Sequence, residues 1–341
     1  AIVFIDEIDA AYLQFDNPLS DKFRLVWGVR FESFDQLVGS VRESDPRHVN
    51  SLVNDFLPGL NLTYKPNNKI NVRFAASQTV IRPEFRELSP FAFYDFELGA
   101  QVVGNKSAQR TKVSNLDLRY ELYPKAGEAI TFGAFYKEFT DPIEFRLDPS
   151  SNADARRYFY QNALSAKTLG FEIELRKGLE FIAPALKPFS LFGNYTYLRS
   201  EVLFNDLAAD NKTVKANRPL QGQSPYLINT GLLYDVVEKG FNATVLFNQV
   251  GKRIYLVGDI QAGAGTPDVY ENPRSLIDFQ VSKKFAQNKA EIKFTISDLL
   301  NQRQIFYQNN NSNTDYSTTT DAIRLSRKFG TTYGVTLNYS L

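Results

Sequence analysis

The chain has 341 residues with 39 basic and 38 acidic side chains, a formal net charge of +1, and this balance gives nucleic acid no electrostatic footing. It contains no cysteine, which excludes disulfide scaffolds, thiol nucleophiles and thiolate metal sites. Aromatic residues make up 14% of it, with 28 Phe and 18 Tyr but 1 Trp, and no run of about 18 uncharged apolar residues occurs, so membrane-spanning helices are excluded. The absence of methionine leads us to expect a processed protein or a piece of a larger one.

Period-two segments recur from end to end. After a first strand centred near residue 12, "FRLVWGVRF" sets Phe23, Leu25, Trp27, Val29 and Phe31 on one face against Arg24 and Arg30. A strand near 59 follows, then "INVRFAASQTV", with Ile70, Val72, Phe74 and Ala76 opposite Asn71, Arg73, Ala75 and Ser77. "NLDLRYELY" from Asn115, "GFEIELRK" from Gly170, "FNATVLFNQ" from Phe241 and "AEIKFTISD" from Ala290 continue the pattern. The chain closes on "GTTYGVTLNYSL", where Tyr333, Val335, Leu337, Tyr339 and Leu341 share one face and Thr332, Gly334, Thr336, Asn338 and Ser340 the other. Thirteen strands are expected, centred near 12, 29, 59, 76, 118, 135, 169, 196, 230, 249, 280, 297 and 335. Only short stretches such as 298–302 could read as helix, so the class is all-β.

The connections alternate in kind. Short turn-rich segments at 16–21, 65–69, 124–128, 238–240 and 286–289, with the longer 178–188 as the one exception among them, interleave with long ones at 37–52, 82–112, 147–157, 204–224, 259–273 and 308–325. Successive connections lie at opposite ends of an up-and-down sheet, so one rim collects turns and the other long loops. That asymmetry belongs to outer-membrane barrels, whose strands run about ten residues, apolar outward and polar inward. A soluble sandwich or a lectin-like β-protein has strands of about 5 to 6 residues, and it would stay folded without detergent. The polar faces here carry charge of both signs, such as Arg119 with Glu121 and Glu172 with Glu174 and Arg176, which suits a water-filled or plugged lumen. The expected architecture is therefore an antiparallel up-and-down transmembrane β-barrel, its terminal strand held by strand pairing and its Tyr333 to Leu341 face turned to lipid. An odd strand number cannot close with antiparallel pairing throughout, so we expect the chain to lack its first part.

At "VRFAASQTVIRPEFRELSPFAFYDF", residues 72–96, the sequence resembles the C-terminal barrel half of TonB-dependent outer-membrane receptors of the Bacteroidetes type. Further blocks follow in the order of that family: "NLDLRYELYPKAGEAITFGAFYKEFTDPIE", "NALSAKTLGFEIELRKGLEF", "NYTYLRSEV", "RPLQGQSPYLINTGLLYD", "FNQVGKRIYLVG", and "SLIDFQVSKKF" leading to "ISDLLNQ". The resemblance implies that residues 1–341 are a partial receptor barrel, the last thirteen of twenty-two strands, without the N-terminal plug and its TonB box. It also implies a terminal Phe where this chain has Leu341. The implied function is active uptake of a scarce ligand, such as a siderophore, cobalamin, an oligosaccharide or a peptide. Its partners would be TonB acting through the plug, outer-membrane lipid and a surface lipoprotein. No cofactor, metal or nucleic acid is implied.

In the loop after Ile81, Phe91, Phe93, Tyr94 and Phe96 are candidates to stack on a ligand, with packing of the loop on itself as the bland reading. Arg82, Glu84, Arg86 and Glu87, near the outer end of a strand, are candidates for plug or ligand contact, against the alternative that they pair among themselves. Asp206, Asp210 and Asn211 fit no established calcium loop. The tract at 308–320 is polar, expected to be mobile, and able to hydrogen-bond a carbohydrate. "QAGAG" at 261–265 precedes no helix and is not a phosphate loop. His48 is the only histidine and no serine is marked as its partner, so an enzyme is not expected. A passive porin or a surface adhesin is the alternative of a different functional class.

Overall fold

The computed structural model describes residues 2–148, 150–151, 155–204, 206–207, 213–214, 218–258, 266–310 and 315–340. Thirteen strands form one sheet in strict chain order. They are β1 (Ile2–Pro18), β2 (Phe23–Ser40), β3 (His48–Asn67), β4 (Ile70–Ile81), β5 (Thr111–Leu122), β6 (Ala129–Thr140), β7 (Ser165–Gly178), β8 (Phe189–Leu203), β9 (Tyr226–Val236), β10 (Phe241–Val250), β11 (Arg274–Phe285), β12 (Ala290–Ser297) and β13 (Thr332–Tyr339). Every neighbouring pair is antiparallel, and all the predicted strand centres fall inside these ranges. Among the described residues, β1 pairs only with β2 and β13 only with β12, so the sheet has two edges.

Register fixes the two faces. Trp27 sits opposite Phe15 and Leu60, Phe74 opposite Leu62 and Leu118, and Phe171 opposite Tyr197, an unbroken apolar ladder across the strands. The other face pairs Asn71 with Glu121, Arg119 with Gly133, and Thr131 with Glu174. Loops fold onto this second, polar face. Leu88 packs with Val38 and Val49, and Phe204 and Leu220 pack with Ala166, Val202 and Phe139. The polar face is thus the lumenal one, and the apolar ladder faces outward.

One expectation fails at the rim. The segment 37–52 is mostly strand, because β2 and β3 stay paired up to Gly39 with His48, leaving only 41–47 as the connection. Burial of Val38 and Val49 under Leu88 holds the extra pairs, and Gly39 (φ 95°) lets the chain turn where a Cβ would meet the Arg47 carbonyl. Residues 298–302 form a turn, with Asp298 (φ 54°) and Asn301 (φ 48°) in the left-handed region that Asp and Asn tolerate best after glycine. "IRPEFREL" leaves its strand at Ile81 and makes a single helical turn, Phe85–Leu88.

The long connections are not plain loops. Ala92–Asp95, Ala100–Val103, Arg157–Asn162 and Ile143–Leu147 form one four-stranded sheet, and Arg253–Leu256, Val269–Glu271, Gln304–Gln308 and Ala322–Arg327 form another. A parallel bridge between Arg146 and Val257 joins them at one side, and the Arg327–Glu97 ion pair links their far ends. Between the two sheets lies a shared core of Ala100, Leu147, Tyr158, Leu256, Val269 and Phe306, flanked by Leu98, Phe145, Tyr255 and Leu325. The rim therefore carries a small two-layer cap with an interior of its own.

Candidate ligand-binding face

The loop 82–110 is held at both feet. Glu32 and Asp55 are register partners on the lumenal face of β2 and β3. Arg82 pairs with Glu32, which also takes Arg30 at 2.5 Å, while Arg110 pairs with Asp55 at 2.7 Å. The Arg82 guanidinium also lies 4.5 Å from the Phe34 ring centre, and Gln36 donates to the Pro83 carbonyl at 3.1 Å. Both carboxylates are buried, so each depends on its arginine. Arg82 is thus committed to the wall rather than to a ligand.

The other charged candidates are also engaged. Glu84 and Glu87 form a reciprocal cap on the helical turn, with the Glu84 N–H donating to Glu87 Oε2 at 2.9 Å. Burial pushes the Glu87 carboxyl above its ordinary value. Arg86 stands over the Phe93 ring at 4.0 Å and reaches Asp95 at 3.4 Å. The four aromatics divide: Phe91 and Phe93 are half-buried, whereas Tyr94 and Phe96 meet edge to face at 5.2 Å and are exposed, Phe96 to 90%. Tyr94 and Phe96 alone offer free ring faces.

On the lumenal wall the charges on β4, β5 and β7 consume one another. Glu121 takes Arg73 at 3.3 Å and Arg119 at 3.1 Å, and Arg119 also reaches Glu174 at 3.1 Å. Across β8, β9 and β10 the wall turns to amides. Asn229 donates to Asn194 at 2.8 Å and accepts from Asn248. This row borders a concavity of about 760 Å3 that also includes Phe192, Leu233, Leu246 and Asp278. Each asparagine there spends only part of its hydrogen-bonding capacity, so the wall can exchange partners with water or a polar solute.

Tyr333, Val335, Leu337 and Tyr339 are 65 to 70% exposed and continue the outward ladder opposite Ile296, Phe294, Ile292 and Ala290. Leu341, Asp210, Asn211, the Asp206 side chain, the "QAGAG" segment and 311–314 lie outside the described residues. Around 311–314 the polar tract is tied by Asp321, which accepts the N–H groups of Asn310 and Ser317 at 2.8 Å each. The imidazole Nδ1 of His48 is 2.7 Å from the Ser40 carbonyl and therefore carries the proton, which spends that nitrogen in a turn. Among the described residues no group of three or more His, Asp or Glu side chains is placed to hold a metal ion. A further cluster escaped sequence reasoning. Glu144 binds Arg218 and accepts the Gln221 N–H at 3.2 Å, and both Arg146 and Arg218 lie over Phe204. Its members are 74 residues apart in sequence, and no local pattern joins them.

A wall that is apolar outside and charged inside, with short turns at one rim and a folded cap at the other, defines an outer-membrane β-barrel protein. The chain belongs to the outer membrane protein beta-barrel family, whose model matches residues 2–339. No curated protein matches it. Among solved structures it is similar to a mutant of the ferric enterobactin receptor PfeA of Pseudomonas aeruginosa, with 16% identity over 98% of this chain and 45% of that one, at a TM-score of 0.63. The siderophore receptor PirA of Acinetobacter baumannii is 16% identical over 98% of this chain and 46% of that one, at 0.62. The FrpB iron transporter of Neisseria meningitidis is 14% identical over 98% and 46%, also at 0.62. At these identities the likeness is one of fold, and the chain spans somewhat under half the length of each.

Proposed function

We propose that this chain supplies wall and cap to a TonB-coupled receptor that takes up a scarce ligand across the outer membrane, and that it is not an enzyme. The observation that carries this reading is the cap. Loops that only bound a pore have no need of a shared core, whereas a receptor must hold its ligand-facing side chains in place. The solved structures to which the chain is similar are receptors and a transporter of iron or its chelates, which supports uptake as the class and leaves the cargo open. In this reading residues 1–341 are a partial barrel domain of a Bacteroidetes-type receptor. Tyr94 and Phe96 meet the ligand, while Arg82, Arg86, Glu84 and Glu87 hold the loop that presents them. Tyr333, Val335, Leu337 and Tyr339 face lipid.

The test is uptake in whole cells of radiolabelled ferric siderophore, cobalamin and oligosaccharide, with and without a protonophore and with and without TonB. Uptake of one cargo that stops when either the proton gradient or TonB is removed is expected. Entry of all small solutes at equal rates, indifferent to both, would instead make the protein a passive porin.

A further inference from the structure

The lumenal wall changes character between β7 and β11. One row of register partners runs Arg176, Phe192, Gly231, Leu246 and Asp278 across five strands. At about 4.8 Å per strand it is roughly 19 Å wide, with a charge at each end and apolar groups between. The lumenal row on its cap side carries Asn194, Asn229 and Asn248, and the row on its other side Ser190, Leu233 and Thr244. The middle of the wall is therefore an apolar floor edged by amides and hydroxyls. It is the lumenal side of the 760 Å3 concavity; Leu175, Gly193, Thr230 and Phe247, which also border that concavity, point outward by the same register and take no part in the floor.

Gly231 shapes this floor. A Cβ there would lie 2.5 Å from Phe192 Cζ and 2.8 Å from Leu246 Cδ2, so both side chains rest over the β9 backbone where any other residue would push them away. Phe192 is thus laid sideways across the wall instead of standing into the lumen. It is half-buried and stacks with no other ring among the described residues. Leu246 is 40% exposed on a wall whose face is otherwise polar. The same seat recurs nearer the cap, where a Cβ at Gly170 would meet Phe135 Cζ at 2.5 Å. Gly170 is the register partner of Leu198, which puts this second ring roughly 20 Å along the wall from Phe192.

The hydrogen-bonding groups around the floor are neutral and part-used. Asn229 and Asn248 give one N–H each, to Asn194 and Asn229 in turn, so Asn194 keeps both its N–H groups and Asn248 its carbonyl. Of the bordering charges, Glu174 is held by Arg119 at 3.1 Å, Asp278 accepts the Asp298 N–H at 2.8 Å, and Arg176 stands at the far corner. The floor itself carries no charge, and an ionic cargo would find no counter-charge on it.

We propose that this floor binds a neutral sugar unit, with the C–H face of the pyranose ring against Phe192 and Leu246 and its hydroxyls on Asn194, Asn229 and Asn248. A sugar joins an apolar ring face to an uncharged rim of donors and acceptors, which is the combination the wall presents. The inference rests on the uptake reading above and narrows its cargo to an oligosaccharide, which passes Phe135 before it reaches Phe192.

The test is isothermal titration of maltohexaose, cellohexaose and xylohexaose into the protein extracted from outer membranes in mild detergent. At least one of the three is expected to bind. Phe192→Ala is then expected to weaken that binding about tenfold and Asn229→Leu about threefold, whereas Phe192→Tyr, which keeps the ring, stays within about twofold of wild type. Lys293→Gln, lumenal but on β12, is expected to bind as wild type. Failure of all three sugars to bind, or wild-type affinity in Phe192→Ala, would overturn the proposal. Heat-modifiable gel mobility reports folding; if Phe192→Ala misfolds, Phe192→Leu decides by the same loss. Whole-cell uptake separates the two readings. Sugar binding combined with entry indifferent to TonB keeps the site and removes the energised receptor, while TonB-dependent uptake of another cargo without sugar binding keeps the receptor and removes the site.

Discussion

Wall and cap are built from one chain on opposite principles. The wall turns its apolar side chains outward, and many of its large hydrophobics are exposed: Tyr12, Leu52, Phe56, Leu169 and Leu337 are each more than 60% accessible. The cap turns them inward, and among the described residues the largest fully buried side chains, Tyr307, Phe204, Leu88 and Ile254, are rim residues. The wall therefore borrows its hydrophobic environment from the bilayer, whereas the cap generates its own. The two regions should respond oppositely to the same kind of change.

The largest effect is expected inside the cap. Phe306 is 2% exposed and its ring lies 4.3 Å from that of Tyr255, so Phe306→Ala should cost about 3 to 5 kcal/mol of cap stability. Limited proteolysis should then cut the rim while the barrel band survives; a protease-resistant rim would show that the cap does not stand on this core. On the wall, Leu337→Arg should cost about 2 to 4 kcal/mol if it lies near the bilayer midplane, read by refolding into lipid vesicles, and should leave the cap intact. Normal folding in lipid would mean that this face does not meet hydrocarbon.

A third change probes the junction. Glu32→Ala removes the buried carboxylate that Arg82 and Arg30 share, and should cost about 1.5 to 3 kcal/mol. The loop 82–110 should then exchange its amides faster while β2 and β3 keep theirs. Equal protection in both proteins would assign the hold on the loop to its other ties, Arg110 on Asp55, Gln36 on Pro83 and Leu88 on Val38 and Val49.

The smallest effect is one of pH. Burial holds the Asp268 carboxyl above its ordinary value, opposed by the Gly258 N–H that it accepts at 2.8 Å. The folded cap then binds a proton that the unfolded chain has already released, so stability falls as pH rises from the unfolded value, near 4, through the raised one. Asp268→Asn keeps an acceptor for Gly258 and should stabilise the cap slightly at neutral pH while flattening its acid-side slope, measured by thermal melts between pH 4 and 8. An unchanged slope would place the source of the pH dependence elsewhere.

The wall was legible because period two is a local signal: each outward residue of "FRLVWGVRF" declares its face within two positions. The cap was not. Ile143–Leu147 and Val269–Glu271 are short and take partners from distant loops, so neither shows sustained alternation in sequence. The candidate residues were legible as a group and not as roles. Arg82 was visible, but its partner Glu32 lies 50 residues away on another strand. Phe93 and Phe96 look alike in "FAFYDF", and only the fold shows one ring covered by Arg86 and the other open.

The tie between Glu97 and Arg327 has a consequence in time as well as in space. It joins two side chains separated by most of the sequence, and contacts of such long range are made late in folding. The cap needs strands contributed by four separate connections, the last of them between β12 and β13, so it is complete only when all four have met.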